Sequence, residues 1–323
     1  MSYLAYFDRV IYAYFLKRDS QLCFWHGQPE INLNAFVKEN KEYYMTFFDK
    51  ANYQGPFDKR GIPLLNYYGK IGKQYNPIAI AQYALGHYNL YFNTKRNCHL
   101  DVFLKQADWL VENIKGNEFG VPVWLHNFDW EYKEILRNPW YSGLAQGIGI
   151  SVLVRAYNTT KDGKYLDTAD KAYLAFENDI NKGGVIHWDK KGSPWIEEYI
   201  LSPPTHILNG FIWALWGVYD YLLLLKEKNA RKLWDNCLET LKKNLEKFDI
   251  GYWSLYDLSQ TKIKNLASPF YHKLHIVQLE VLYRLSKIEI FKEFSQKWER
   301  YLNFKFNRSR AYFNKAIFKL LYF

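Results

Sequence analysis

Three stretches of the sequence crowd side chains that can move a proton. "SPFYHKLH" (268–275) holds Tyr271, His272, Lys273 and His275. "WIEEYILSPPTHILNGF" (195–211) holds Glu197, Glu198, Tyr199, His206 and Asn209. "GYWSLYDLS" (251–259) holds Tyr252, Tyr256 and Asp257. A fourth stretch, "NPWYSGLAQGIGIS" (138–151), adds Trp140, Tyr141, Ser142 and Gln146. Phenol, imidazole and carboxylate in such numbers admit three readings: metal ligands, polar core residues, or general acid–base groups. The histidine spacing argues against a metal. His272 and His275 are three apart and lack the i, i+4 pair with a third ligand that marks a zinc site.

The elements that position these residues are mainly helices. Ser268 followed by Pro269 is an N-cap with proline at the first helical position, so Tyr271, His272 and His275 fall in the first turns of a helix. Pro203 and Pro204 interrupt any helix through the second stretch, and Thr205 can cap the next one. From Pro77 onward, helical patterns recur: "PIAIAQYALGHYNLYF", "LDVFLKQADWLVENI", "YSGLAQGIGISVLVRAYNTT", "KYLDTADKAYLAFENDI", "HILNGFIWALWGVYDYLLLL", "ARKLWDNCLETLKKNLEKF", "YHKLHIVQLEVLYRLS" and "FKEFSQKWERYL". Several are apolar almost all round, the mark of helices buried among others. Short segments rich in Gly, Pro and Trp lie between them ("GVPVWLHNFDW", "GGVIHWDKKGSPWIEEY", "DIGYWSLYDLS") and suit short hairpins. The predicted fold is mainly all-α, an incomplete α/α barrel or toroid with short β-hairpins in its loops. No strict sequence repeat accompanies the alternation, so an ordinary helical array is the rival. Residues 1–75 form a loop-rich N-terminal arm, with Leu4, Phe7, Ile11, Tyr14 and Phe15 at helical spacing, and 76–323 the main domain.

Composition narrows the functional classes. Hydrophobic residues make up 49% of the 323, enough for a large core, so disorder is excluded. The 28 tyrosines and 12 tryptophans offer flat apolar faces with polar edges, which suit sugars. The formal charge of +10 attracts polyanions. Because the basic residues are scattered and no nucleic-acid motif is present, nucleic acid is not the expected partner. Cys23, Cys98 and Cys237 are far apart and odd in number, implying no disulfide framework. Neither a basic leader nor an uncharged run of about 20 residues is seen, so a cytoplasmic location is expected.

Four motifs in order carry a resemblance. "YNPIAIAQYALGHY", "WYSGLAQGIGISVLVRAY", "EEY…HILNGF…GVYDY" and "LYDL…YHKLHIVQLE" resemble the C-terminal helical domain of D-glucuronyl C5-epimerases, from about residue 63 to 302. Those enzymes convert D-glucuronate to L-iduronate within heparosan or heparan-type polymers. In the animal members the "IAQY" helix is followed by a long β-rich stretch. Here only a few residues intervene, so the resemblance implies a compact form without that stretch. It also implies proton-transfer roles for Tyr199, Tyr256 and Tyr271, a catalytic role for Glu198, and substrate contact for Asn209. One departure stands out. An Arg that can meet the uronate carboxylate follows "YDL" in the animal enzymes, and Ser259 stands there in this chain. Lys262, or Lys70 in the arm, is expected to supply the cation.

C5-epimerisation takes the proton α to the uronate carboxylate and returns one to the opposite ring face. A tyrosine of ordinary pKa near 10 is a weak base, and bringing it to 7 takes about 4 kcal/mol of phenolate stabilisation. His272, His275 and Lys273 are the expected sources, and tyrosine is better suited as the returning acid. Trp124, Trp140, Trp195, Tyr141 and Gln146 are expected along the sugar. No metal or cofactor is needed, and the expected partner is an acidic, glucuronate-containing polysaccharide. The basic C-terminal segment "NRSRAYFNKAIFKLLYF" suits packing on the barrel, a homodimer contact or peripheral membrane association. A uronate lyase, a non-catalytic glycan-binding protein and a glycoside hydrolase using Glu198 and Asp257 are the alternatives.

Overall fold

A computed structural model describes residues 21–37 and 42–322. The helix expected over 4–15 lies outside the described residues. Eight helices pair as four antiparallel hairpins: α1 (Pro77–Thr94) with α2 (Asn97–Asn113), α3 (Gly143–Thr160) with α4 (Gly163–Glu177), α5 (Leu208–Leu225) with α6 (Lys228–Asn244), and α7 (Pro269–Ser286) with α8 (Glu289–Asn303). The first helix of each hairpin is internal. α3 packs between α1 and α5, and α5 also meets α7. The second helices bury one apolar stripe each and turn charged faces outward. This is an incomplete α/α barrel, as the helical pattern predicts. α5 is apolar enough by length and composition to cross a membrane, yet 78% of it is buried inside the fold as a core helix.

A regularity that the sequence reading missed unites the inner helices. Each is 18 residues long and ends in a lysine of left-handed conformation: Lys95 (φ 58°), Lys161 (φ 61°), Lys226 (φ 55°) and Lys287 (φ 60°). Each lysine N–H returns to the carbonyl four residues back, on Tyr91, Tyr157, Leu222 and Tyr283. Lysine is an unusual choice for a left-handed cap, where glycine carries no steric cost, but its ammonium complements the negative end of the helix dipole. The structural period is therefore regular although the intervening loops are not.

α3 and α5 touch backbone to backbone. A Cβ at Gly217 would sit 2.1 Å from the Gly147 carbonyl oxygen, and one at Gly147 would sit 2.3 Å from the Ala214 Cα. Only hydrogen at both positions lets these two backbones touch.

Four two-stranded antiparallel hairpins decorate one end: β1–β2 (Leu65–Asn66, Lys73–Gln74), β3–β4 (Ile114–Gly116, Pro122–Trp124), β5–β6 (Trp130–Glu131, Ile135–Leu136) and β7–β8 (Ile186–Trp188, Pro194–Ile196). Hairpins were expected in the "GVPVW", "GGVIHW" and "DIGYW" segments. The last forms only isolated bridges, Asp249 with Ser254 and Leu255 with Leu266. The arm packs on α1 through a short helix, Phe48–Ala51. Its Lys50 ammonium is buried beneath Phe24 and Trp25 and donates to both their carbonyls. The basic C-terminal segment forms a helix, α9 (Lys305–Tyr322), which runs against α7 and α8 with Ala311 and Phe318 buried.

Gly217→Ala is expected to destabilise the protein by about 1–3 kcal/mol, because neither backbone can yield to the added methyl. Urea unfolding midpoints of the two proteins measure this. An unchanged midpoint would show that the α3–α5 contact is looser than described.

Candidate active site

The loops that precede α3, α5 and α7 meet at one end of the barrel. The Gly143 N–H donates to the Glu197 carbonyl (3.0 Å), and the Leu208 N–H donates to the Tyr256 carbonyl (3.1 Å). These contacts bring three of the four chemistry-bearing stretches together. Around them lies an aromatic cluster separate from the main core, with Tyr67, Phe128, Tyr132, Trp140 and Tyr256 buried and Trp130, Tyr199 and Tyr271 packed on it and partly open. The phenol rings follow one another: Tyr271 to Tyr256 at 4.9 Å, Tyr256 to Tyr132 at 6.4 Å, and Tyr132 to Tyr199 at 5.0 Å. The structure thus gathers the rings of Tyr199, Tyr256 and Tyr271 into one cluster. It adds Tyr132, which sequence reasoning passed over.

Glu198 lies behind Tyr199 and is almost fully buried. Its carboxylate rests against the first turn of α5, where a Cβ at Gly210 would be 2.2 Å from Oε2, so glycine is required there. The Asn209 amide donates to Oε2 at 3.3 Å. Burial pushes the Glu198 pKa up to about 8, with hydrogen bonds from Tyr199 and Asn209 pulling it down and the charges of Glu197 and Asp257 pushing it up. Burial likewise lifts the phenols of Tyr199, Tyr256 and Tyr132 well above 10, and nearby carboxylates add to the effect. None of these three is a phenolate at neutral pH. The group that accepts a proton most readily in this cleft is therefore the carboxylate, and the phenols are donors.

Asp257 organises the floor. It accepts hydrogen bonds from the Tyr132 hydroxyl, the Lys133 ammonium (3.0 Å), the Ser259 N–H (3.0 Å) and hydroxyl, and the Asn265 amide (2.5 Å). Ser259 is thus committed to Asp257. The cations beside the tyrosines are Lys133, from the turn of β5–β6, and Lys315 of α9. Lys315 sits 5.2 Å from the Tyr256 ring centre and donates to Asn265 at 2.7 Å. Lys70 and Lys262, the expected carboxylate partners, are both exposed side chains for which no bond into the cluster is seen. Lys133 escaped notice because its own neighbourhood, "DWEYKEI", reads as an ordinary charged turn. Lys315 escaped because it is remote in sequence.

Several other expectations are corrected. His272 and His275 are fully buried core residues, not groups facing the cleft. His272 stacks on Trp253 at 3.8 Å. Its Nε2 faces the Trp298 carbonyl (3.0 Å), an acceptor, so that nitrogen carries the proton, and Nδ1 accepts from Ser254. Burial lowers the pKa of His272 to about 4 and that of His275 well below 6.5, so both are neutral and give no support to a phenolate. Lys273 donates to Gln28 at 2.6 Å instead. Gln146 is spent on structure, accepting from the Trp124 N–H and donating to the Pro122 and Ala172 carbonyls. Trp124 and Trp195 are buried, Trp124 bonded to the Leu110 carbonyl and Trp195 stacked on His206 at 4.1 Å. Trp140 walls the cleft, edge-on to Tyr199 at 5.7 Å and flat on His126 at 3.8 Å. Tyr141 is half-buried, with burial raising its pKa to about 12. Among the described residues no three His, Cys, Asp or Glu side chains converge on a metal position, and the three cysteines are free.

Residues 118–300 match the family described as D-glucuronyl C5-epimerase C-terminus. The chain belongs to this family. It is 34% identical to the D-glucuronyl C5-epimerase of Caenorhabditis elegans over 222 residues, which is 64% of this chain and 36% of that protein. It is 29% identical to an uncharacterized protein of Methanocaldococcus jannaschii over 208 residues, 63% of this chain and 66% of that one. The chain therefore spans about a third of the nematode relative's length and just under two thirds of the archaeal one. Among solved structures it resembles the GH76A α-1,6-mannanase of Salegentibacter sp. HEL1_6 (TM-score 0.53, 12% identity, 80% of this chain and 68% of that). It also resembles a family 105 glycoside hydrolase of C. acetobutylicum (TM-score 0.50, 14% identity, 76% and 67%). These two likenesses establish the α/α-barrel fold and nothing of the chemistry.

In this epimerase-family fold the raised Glu198 pKa ties stability to pH. A carboxyl displaced upward from 4.5 to about 8 leaves the folded state unpenalised below about pH 4.5. Stability falls as pH rises through that window and levels off above about 8. Glu198→Gln removes the titration. The variant is expected to exceed the parent in stability by a few kcal/mol above pH 8, at about 1.4 kcal/mol per pKa unit, with the gap closing towards pH 4.5. Urea midpoints across pH measure this, and a constant gap would show that Glu198 is not displaced.

Proposed function

We propose that the protein is a polysaccharide uronyl C5-epimerase that converts D-glucuronate to L-iduronate residues in a heparosan-like acidic glycan. The observation that carries the reading is the buried Glu198, poised near pH 8, behind the partly open Tyr199 phenol, with Tyr271 bordering the same space. Family membership supports the same chemistry.

The proton inventory works as follows. The Tyr199 phenol lies close enough to Glu198 to hold its pKa down. As the Tyr199 oxygen takes the C5 proton, its own proton passes to the Glu198 carboxylate. The electron pair left on C5 delocalises into the uronate carboxyl as an enolate, which Lys133 and Lys315 stabilise by charge. Tyr271 then donates its phenolic proton to the other ring face and regains one from water, while Glu198 loses its proton to water. No bond of the polymer breaks. Tyr256 and Tyr132 hold the donors in place, and Trp140 offers a flat face to the sugar. A hydrolase would need two available carboxylates, and Asp257 has every lone-pair direction engaged by donors, which disfavours that reading.

Incubating the protein with heparosan oligosaccharides in deuterated water tests the proposal. Deuterium enters C5 and iduronate signals appear by NMR, with no unsaturated sugar absorbing in the ultraviolet. That absorbance would instead identify a lyase, and no exchange with any glucuronate polymer would leave a binding protein. Tyr199→Phe and Tyr271→Phe each reduce exchange by about 10²–10⁴-fold.

The rate also follows the base. With Glu198 ionised in the active form, kcat/KM rises with pH and levels off above about 8. Glu198→Gln removes both the activity and that inflection. A profile flat from pH 6 to 9 in the parent protein would exclude Glu198 as the proton's destination.

A further inference from the structure

A cavity of about 470 Å³ adjoins the tyrosine cleft and shares Asp257, Ser259 and Asn265 with it. The proposed chemistry makes no use of it. Its rim carries Lys190, Lys191, Lys247 and Lys264. Lys190 and Lys191 sit on the turn of β7–β8, and Lys247 lies just past α6. All four are exposed, and among the described residues none is ion-paired to a carboxylate. Two carboxylates line the same space, and Asp257 is already paired with Lys133. Asp189 accepts from the N–H groups of Lys191 (2.8 Å) and Ser193 (2.9 Å) and from the Trp195 indole (3.3 Å), while Asp257 holds the cleft floor. Lys247 donates to Asn244 at 2.6 Å, and the four ammonium groups outnumber the two carboxylates of the lining, one of them already paired with Lys133, so the concave space carries a net positive field.

The wall of the cavity is built rather than incidental. His206 lines it with a left-handed backbone (φ 51°) that histidine adopts at a steric cost. Glu197 enforces that conformation. Its Oε2 accepts the N–H groups of Thr205 (3.3 Å) and His206 (3.0 Å), and its Oε1 meets the His206 Nδ1 at 2.5 Å. Glu197 only accepts when ionised, so Nδ1 carries the ring proton. The imidazole lies flat on Trp195, whose indole is itself anchored to Asp189. Strain held by a buried carboxylate at a cavity wall is characteristic of a binding surface.

We propose that this cavity is a second saccharide subsite. It takes a sugar next along the chain from the one at the tyrosines and grips an oxyanion on it, a carboxylate or a sulfate, through Lys190, Lys191, Lys247 and Lys264. The inference deepens the proposed function and rests on its reading of the cleft as a uronate site. A polymer held at two points is fixed in direction, so the subsite sets which uronate of a chain reaches Tyr199.

The test pairs Lys190→Gln/Lys191→Gln with a control of equal charge change, Lys228→Gln/Lys232→Gln, on the first turns of α6. Binding to the full chain is measured by calorimetry with an unsulfated heparosan octasaccharide, with its N-sulfated counterpart and with inorganic sulfate. The subsite variant is expected to weaken binding of at least one octasaccharide about tenfold, and to raise KM with kcat unchanged, while the control does neither. Equal losses in both variants would show diffuse charge attraction, and no loss in either would show an unused cavity. Either result overturns the proposal, as does inorganic sulfate binding as tightly as the octasaccharides, which would reveal a simple ion site. C5 exchange is read separately. Lysine-dependent binding without exchange sinks the epimerase reading and leaves the subsite standing. Exchange without lysine dependence sinks the subsite alone.

Discussion

One buried carboxylate, Asp257, holds the candidate site together. Its donors come from the β5–β6 hairpin (Tyr132, Lys133), from its own loop (Ser259) and from the strand-like run before α7 (Asn265), and Asn265 in turn receives Lys315 from the last helix. Elements more than a hundred residues apart in sequence thus share one anion. A buried carboxylate with all its acceptor positions filled is inexpensive to keep and costly to disturb, since losing one donor exposes the desolvation of the rest. The barrel beneath supplies a different kind of constraint. The glycine contact holds α3 directly against α5; at the starts of these helices Glu197 meets Gly143 and Glu198 meets Asn209 and Gly210.

The fold was legible because its signal is local. Inner helices that are apolar on every side and outer helices with one stripe are patterns within 18 residues, and the Ser268–Pro269 start of α7 is written in two. The four-fold period was equally present. Tyr91–Lys95, Tyr157–Lys161 and Tyr283–Lys287 share a five-residue ending, and Lys226 closes the fourth inner helix without the tyrosine. It went unread because lysine is not an expected left-handed cap, and because loops of unequal length hide the register. The N-terminal arm was legible only as loops. Its hairpin β1–β2 is two residues per strand and carries no alternation to detect.

The candidate site was legible where resemblance or chain proximity pointed and illegible where tertiary structure decides. Tyr199, Tyr256 and Tyr271 converge, but nothing near them in sequence names Tyr132, Lys133 or Lys315 as their companions. The histidines show the opposite failure. His272 and His275 look chemical because imidazole titrates near neutrality, yet the helix that presents Tyr271 to the cleft turns both rings inward, onto Ser254 and between Trp253 and Trp298. His272, the next residue on the helix, faces about 100° away from Tyr271, whereas His275, four residues on, lies on nearly the same side and is held inward at Ser254.

The same geometry decides which group bears the negative charge. A cluster lined by Phe128, Trp130, Trp140 and tyrosines offers an anion little solvation, so Glu198 and the phenols of Tyr132, Tyr199 and Tyr256 are pushed upward. Phenols starting near 10 move out of reach, whereas a carboxyl starting near 4.5 arrives at about 8, close to the pH at which a base is most useful. Burial therefore leaves Glu198, with a pKa near 8, as the base of the proposed mechanism and tyrosine as its contact with the sugar. In the proposed mechanism the phenol's role is geometric: it is rigid, carries one transferable proton, and extends the reach of a buried carboxylate to the ring carbon. The positive end of α5 beneath Gly210 lessens the cost of the anion without cancelling it. What remains of that cost is stability given up at neutral pH, and in the proposed mechanism it keeps Glu198 basic enough to take a proton from carbon through Tyr199.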